Sequence, residues 1–270
     1  MPYKTIKGKN LFYEERGVGF PLLFGHSYLW DGAMWEPQVE VLSASYRCIV
    51  PDLWAHGRSE LPPSVPYSVE SMAADHWELA VALGLERFAM IGLSVGGMWG
   101  LHLALNHPDA VRALVLMDTF VGPEPADTRA RFFQMLDTVE QAGAIPPSLI
   151  EAIIPLFFSP VTMKHNPEMV NRFKERLASI PSERISGLVG IGRGIFGRAS
   201  VLDRLGEIQV PTLVIVGADD LSRPPHEAQQ MAEAIPNARL EVIAEAGHIS
   251  NLEQPERVTE LIETFLRQVL

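Results

Sequence analysis

The sequence predicts an α/β fold: a mostly parallel, doubly wound sheet flanked by helices, with a helical cap inserted after the sixth strand. Three observations carry this. Short continuous apolar runs, at residues 21–24, 48–50, 88–91, Val111–Met117 and 212–216, recur with helix-period segments between them. Such runs suit strands buried on both faces, and their alternation with helices implies parallel pairing. Secondly, His26, Asp52, Ser94 and Asp118 all stand just past the ends of such runs, where open parallel sheets bind their ligands. Thirdly, from Gly122 to about Gly206 the alternation lapses into amphipathic helices punctuated by Pro146, Pro147, Pro155, Pro160, Pro167 and Pro181. An all-helical stretch of about 80 residues between two strands cannot join the sheet, so it is expected to cover one edge as a lid.

In order, residues 3–16 alternate like a hairpin around a turn cluster at Gly8-Lys9-Asn10. A helix is expected over 34–42, and Pro62, Pro63 and Pro66 make a loop. Ser68 reads as the N-cap of a helix over 69–83 that Gly84 closes. The helix after Ser94 stops at Pro108, and a helix near 226–235, a strand over 240–243 and a helix over 256–269 complete the chain.

The 270 residues are 47% hydrophobic and 20% charged, which is enough apolar material for a large core without a disordered segment. A net charge of −11 argues against nucleic acid or an anionic membrane as partner. Residues 1–5 have no apolar leader-like run and no stretch approaches membrane-spanning length, so a soluble cytoplasmic protein is expected. The single cysteine, Cys48, sits in an apolar run and reads as a buried strand residue. No His/Cys/Asp/Glu spacing suits a metal, and no P-loop occurs, so no metal or cofactor is expected.

The chemistry concentrates at Gly92-Leu93-Ser94-Val95-Gly96, a G-x-S-x-G pattern between a strand and a helix. A nucleophile on so sharp a turn needs small neighbours, which Gly92 and Gly96 supply. Chance alone produces the pattern on the order of once in ten chains of this length. The order of the polar groups later in the chain lifts it above chance. A serine hydroxyl needs a base to take its proton and an acid to orient that base. Asp219-Asp220 come after the strand ending at Gly217, and His248 comes after the next strand, giving the order Ser…Asp…His.

Together with Gly25-His26, Asp52-Leu53-Trp54-Ala55-His56-Gly57-Arg58-Ser59 and the segment 211–220, these motifs make the chain resemble, over essentially its whole length, the α/β-hydrolases of the esterase, lactonase and C–C hydrolase branch, 3-oxoadipate enol-lactonase-like proteins among them. The resemblance implies a core at 1–121 and 207–270 and a cap at 122–206. It implies Ser94 as nucleophile, His248 as base and, from the spacing to Gly217 and Pro224, Asp220 as acid; Asp219 and Asp118 stay open as alternatives. Val95, the residue after the nucleophile, is expected to give one oxyanion-hole N–H, and the resemblance maps the other to Tyr28. Here the chain departs from the family, because Ser27 replaces a glycine; if that position needs a positive φ, Ser27 is strained or the loop differs.

Of the remaining polar residues, His26, His56 and Arg58 are read as loop braces, His102 as a packed helical histidine, and Asp31 as a helix cap or a substrate contact. Most cap aromatics and aliphatics are expected to form cap core, with Trp30, Phe120, Phe157 and Phe158 facing substrate. Arg193 and Arg198 are candidates for a substrate carboxylate, with exposed cap arginines as the alternative. The resemblance implies a serine hydrolase of a small carboxylic ester or lactone, acting without a cofactor through an acyl-enzyme on Ser94. The same triad would also serve C–C bond hydrolysis or perhydrolysis, and a hydrolase-fold receptor with little turnover is the alternative of another class. The expected partner is a small-molecule ester or lactone, with no nucleic acid and no membrane; a homo-oligomer is compatible with the sequence.

Overall fold

The computed structural model describes residues 2–65 and 67–270; Met1 of the N-terminal stretch and Pro66 of the proline loop lie outside them. The N-terminal hairpin pairs β1 (Tyr3–Ile6) with β2 (Lys9–Arg16), but its turn is Lys7-Gly8 rather than Gly8-Lys9-Asn10. Both turn residues have positive φ, 48° and 78°, the combination that lets a two-residue turn match the twist of its strands.

Six further strands complete the set: β3 (Phe20–Gly25), β4 (Tyr46–Pro51), β5 (Phe88–Leu93), β6 (Val111–Met117), β7 (Thr212–Gly217) and β8 (Ala238–Ile243). The eight strands form one sheet in the order β1-β2-β4-β3-β5-β6-β7-β8. β2 meets β4 antiparallel, and every pairing from β4 to β8 is parallel. Every residue of β5 and β7 is buried, as the continuous apolar runs require.

The order places the site. From β3 the chain passes through α1 (Glu36–Leu42) outward to β4, then through α2 (Val69–Ala82) back past β3 to β5, and through α3 (Val95–Asn106) onward to β6. With right-handed crossovers, that reversal puts α1 on one face and α2 and α3 on the other. α2 packs on α3, whereas α1 packs on the C-terminal helix, Pro255–Val269. The crevice opens where the winding reverses, between the carboxyl ends of β3 and β5.

Sequence and structure differ slightly at the helix starts. The helix expected over 34–42 divides into a 3-10 turn, Gly32–Trp35, and α1, where Pro37 sits in the first turn. Ser68 caps α2 through Ser71 N at 3.2 Å, and Gly84 takes the left-handed φ of +70° that ends it.

Between β6 and β7 lie five helices: α4 (Ala126–Ala142), α5 (Pro147–Phe157), α6 (Pro160–His165), α7 (Pro167–Ala178) and α8 (Ser182–Phe196). α4 packs on α8, and α7 on both α5 and α6. After β7 come α9 (Pro225–Ala234) and, past β8, α10 (Ser250–Glu253) and α11 (Pro255–Val269), which buries Val258, Leu261, Ile262, Phe265 and Leu266 along one stripe. Among the described residues no helix is long and apolar enough to cross a membrane.

A very close backbone contact joins α3 to the sheet: a Cβ on Gly96 would lie 2.0 Å from the carbonyl oxygen of Gly25. Gly96→Ala is therefore expected to cost about 3 kcal/mol or more, since backbone stands on both sides of the contact. Gly206→Ala, where nothing lies within 4 Å, is the control and should stay within about 0.5 kcal/mol. Urea unfolding of the two variants measures both.

Candidate active site

Ser94 sits between β5 and α3 with φ 56° and ψ −122°, a backbone conformation that costs a non-glycine residue on the order of 1–3 kcal/mol. Its own backbone holds it there. Ser94 N donates to Met117 O at 2.8 Å, and Thr119 Oγ1 donates to Ser94 O at 2.6 Å. Ser94 is buried and lines a chamber, and its hydroxyl donates to His248 Nε2 at 2.9 Å. On the far side of the ring, His248 Nδ1 donates to Asp220 Oδ2 at 2.8 Å. Asp220 is itself fixed, because its Oδ1 accepts from Ser222 N at 2.8 Å and Arg223 N at 2.9 Å. The three expected catalytic residues thus form one hydrogen-bonded line across 154 residues of sequence.

Neither alternative acid joins this line. Asp118 Oδ1 accepts from Gly217 N at 2.8 Å, and its Oδ2 accepts from Ser250 Oγ at 2.6 Å. It ties the end of β6 to β7 and to the histidine loop. Full burial, then the charge of nearby Asp220, pushes its carboxyl well above the usual range. Asp219 is half-buried, and its backbone N–H donates to Ala246 O at 2.9 Å.

The loop expected to carry the second oxyanion-hole donor, here termed the oxyanion loop, leaves β3. Ser27 is buried and does not carry a positive φ; Leu29 takes the left-handed conformation instead, at +67°. The loop therefore differs from the pattern that the glycine position suggested, and Ser27 is unstrained. Backbone N–H groups on either side of Tyr28 are occupied: Ser27 N by Met34 Sδ at 3.3 Å, Leu29 N by His56 Nε2 at 3.1 Å and Trp30 N by Ser27 O at 3.2 Å. The N–H of Tyr28 has no partner among the described residues. Val95 opens α3, where no intrahelical carbonyl can accept its N–H. Two donors are thus free beside the serine, as an oxyanion hole requires.

His26 and His56 brace this loop, as expected. Leu53 N donates to His26 Nε2 at 2.8 Å, and the Nδ1 groups of His26 and His56 donate to Ser27 O and Trp54 O, each at 2.8 Å. Arg58 pairs with Glu14 and stacks on Phe12, while its backbone N–H bonds Asp52. His102 is a buried residue of α3. Asp31 caps the 3-10 turn through Ala33 N at 3.0 Å and pairs with Arg176 of α7 at 2.7 Å.

A chamber with about 930 Å³ of empty space, counting the solvent at its open side, lies over the triad. Ser94, His248, Ser27, Tyr28, Ser222 and Arg223 form its floor and near wall, and its far wall is apolar cap: Phe132, Leu136, Val139, Ile145, Leu149, Ile153, Leu156, Phe157, Leu188, Ile195 and Phe196. Of the four residues expected to face substrate, Phe157 does line it. Trp30 does not: it stacks on Phe173, with ring centroids 4.5 Å apart, and joins α7 to the oxyanion loop. Phe158 is fully buried in the same aromatic cluster, and Phe120 is buried against Gly122. Long-range packing decided these three, and local sequence carries no mark of it. Arg193 binds Asp137 and Glu140 at the surface, Arg198 is buried against Glu124, and neither lines the chamber, so neither meets a substrate carboxylate there.

Two groups escaped sequence reasoning. Glu253 accepts from Gly247 N at 2.7 Å and Ser159 N at 2.8 Å, binding the histidine loop to the end of α5, where Phe157 O also accepts from His248 N at 3.0 Å. The Glu124–Arg198–Arg223 cluster is the other. The bonds that tie them to the cap or across its two ends span 74 to 99 residues of sequence, so no motif or periodicity could have pointed to them. Among the described residues no group of three or more His, Cys, Asp or Glu is arranged to hold a metal ion.

The chain belongs to the α/β-hydrolase family. The profile of the α/β-hydrolase fold matches residues 21–255. A Caulobacter segnis protein provisionally named carbamate hydrolase RutD is 32% identical over 246 residues, 87% of each chain. Among solved structures, an esterase from Thermogutta terrifontis superposes with a TM-score of 0.90 at 33% identity, covering 99% of this chain and 98% of that one. The enol-lactonase from Burkholderia xenovorans gives 0.88 at 28% identity, covering 98% and 100%. In this α/β-hydrolase, as in the family pattern that the sequence resembles, the serine turn and the histidine loop meet over the carboxyl ends of the parallel strands.

The loop-bracing histidines give the α/β-hydrolase a defined pH response. Burial pushes His26 down to about 3 and His56 to about 4, and each ring accepts a backbone N–H that a second proton would displace. Folded pKa values below the unfolded value near 6.5 mean that stability is complete above that pH and is lost as pH falls toward 4. The His56 contribution alone is about 3 kcal/mol. Urea unfolding at pH 7 and pH 4.5 should show a drop that is visibly smaller in His56→Gln, whose side chain does not titrate.

Proposed function

We propose that the protein is a serine hydrolase that cleaves a small carboxylic ester or lactone through an acyl-enzyme on Ser94. The observation that carries the reading is the unbroken line Ser94 Oγ–His248–Asp220, at 2.9 and 2.8 Å, ending beside two free backbone donors. With Asp220 accepting at Nδ1, the ring proton is held there and Nε2 is left to receive the serine proton. Ser94 Oγ attacks the carbonyl carbon as His248 takes its proton. The N–H groups of Val95 and Tyr28 bear the charge that develops on oxygen, and the Asp220 carboxylate stabilises the imidazolium. Collapse returns that proton to the departing alkoxide, which for a lactone stays tethered to the acyl group. Water then enters, loses its proton to His248, attacks the acyl carbonyl and frees the acid and Ser94. No step calls for a cofactor, and the substrate is a small molecule.

The esterase and enol-lactonase likenesses support this reaction type. The apolar far wall favours an ester or lactone with a hydrocarbon portion to bury. A bare carbamate would leave that wall without a function.

Hydrolysis of short p-nitrophenyl esters and of lactones tests the proposal. Ser94→Ala, His248→Ala and Asp220→Asn should each lower kcat by about 10³-fold or more. Asp118→Asn keeps the shape of its two hydrogen bonds and should stay within about tenfold. Full activity in Asp220→Asn with loss in Asp118→Asn would reassign the acid, and absence of turnover on every ester and lactone would refute the reading.

A further inference from the structure

One element of the chamber wall has no part in the triad chemistry. Glu124 stands where the helical insertion begins, Arg198 where it ends, and Arg223 three residues beyond Asp220. Glu124 Oε1 accepts from Arg198 Nη1 and from Arg223 Nη2, each at 2.7 Å, and Glu124 Oε2 accepts from the same Arg223 nitrogen at 2.8 Å. The other terminal nitrogen of Arg223 lies 3.6 Å from Glu227 of α9. The Glu124, Arg198 and Arg223 side chains are 1%, 3% and 7% exposed. Burial opposes the charge on Glu124, but the two guanidiniums outweigh it and hold the carboxyl below its usual range.

Two acids and two arginines in one buried cluster sum to no net charge. Apart from His248 and Tyr28, Glu124 and Arg223 are the ionisable groups in the chamber lining among the described residues. A substrate carboxylate entering the chamber would therefore give up its water and meet, in Arg223, a guanidinium whose charge is already balanced by Glu124 at Nη2 and by Glu227 on the side of Nη1, although Nη1 itself makes no hydrogen bond among the described residues. Such a transfer is unfavourable without a free partner.

We propose that Glu124 is a charge filter: by engaging Arg198 and Arg223 it makes the site select uncharged esters or lactones and reject those with a carboxylate on the portion that fills the chamber. The proposal rests on the serine-hydrolase reading and adds the substrate class. Glu124 acts as a specificity-determining residue, since it touches neither the nucleophile nor the base.

The test compares p-nitrophenyl hexanoate, mono-p-nitrophenyl adipate and the methyl ester of the latter at pH 7.5, a set matched in acyl length that separates charge from polarity. In the wild-type protein kcat/KM should favour both neutral esters over the anionic one by about a hundredfold or more. Glu124→Gln should narrow that ratio by about tenfold or more, because both arginines lose their anionic partner. That variant leaves two guanidiniums buried, so Glu124→Gln/Arg198→Gln, which removes one charge of each sign, gives the same reading on a neutral background. Equal turnover of anionic and neutral esters by the wild-type protein, or an unchanged ratio in the folded variants, overturns the filter. Ser94→Ala separates the two levels. If it is inert while the wild-type protein ignores charge, only the filter falls; if it keeps hexanoate turnover, the hydrolase reading falls and takes the filter with it.

Discussion

The site depends on the approach of two glycines. Gly96, in the first turn of α3, lies so close to Gly25, at the end of β3, that a single methyl group on it would overlap backbone. This contact sets the height of α3 over the sheet. It brings the serine turn, which leaves β5, next to the loop that leaves β3, with Gly25 and Gly92 in register between the paired strands. Because the winding of the sheet reverses between those strands, the two loops open into one crevice instead of being covered by a crossover. The strained backbone at Ser94 persists because neighbours over-determine it, through Met117 O on one side and Thr119 on the other. Strain, donor placement and the position of the Ser94 hydroxyl thus stem from one packing requirement.

The cap is fastened to the same parts. α5 ends in bonds to the histidine loop through Phe157 and, by way of Glu253, through Ser159. α7 rests on the oxyanion loop through the Trp30–Phe173 stack and the Asp31–Arg176 pair, and Tyr28 donates its hydroxyl to Leu188 O of α8 at 2.9 Å. Cap and core therefore share the residues that aim the reacting groups. Under the proposed reaction, substrate selection and catalysis are coupled through them, and the Glu124 cluster repeats the arrangement at the loop that carries Asp220.

Much of this was legible in the sequence, for physical reasons. Strands buried on both faces cannot alternate, so β5, β6 and β7 stand out as apolar runs, and the residues just past each run must lie at the sheet's carboxyl edge. That logic places Ser94 and the Asp219-Asp220 pair at this edge; His248 follows the next strand, and the resemblance to the family picks Asp220 from the pair. The elbow also requires its small residues, which made it readable locally. The oxyanion loop was harder, because a left-handed residue was needed somewhere and Leu29 carries it while Ser27 does not. The chamber was hardest. Trp30, Phe120 and Phe158 have the same composition signal as Phe157, and only the docking of α5 and α7 decides which ring meets the cavity. Glu124 and Glu253 act through partners up to 99 residues away, which no local pattern encodes.

The central claim is that Ser94 is a nucleophile made reactive by His248. Its most direct measurement is treatment of the native protein with a fluorophosphonate probe, followed by peptide mass spectrometry. A single adduct on Ser94, with labelling strongly slowed in His248→Ala, is the expected result. An unlabelled Ser94 in folded protein, or labelling at another residue, would contradict it.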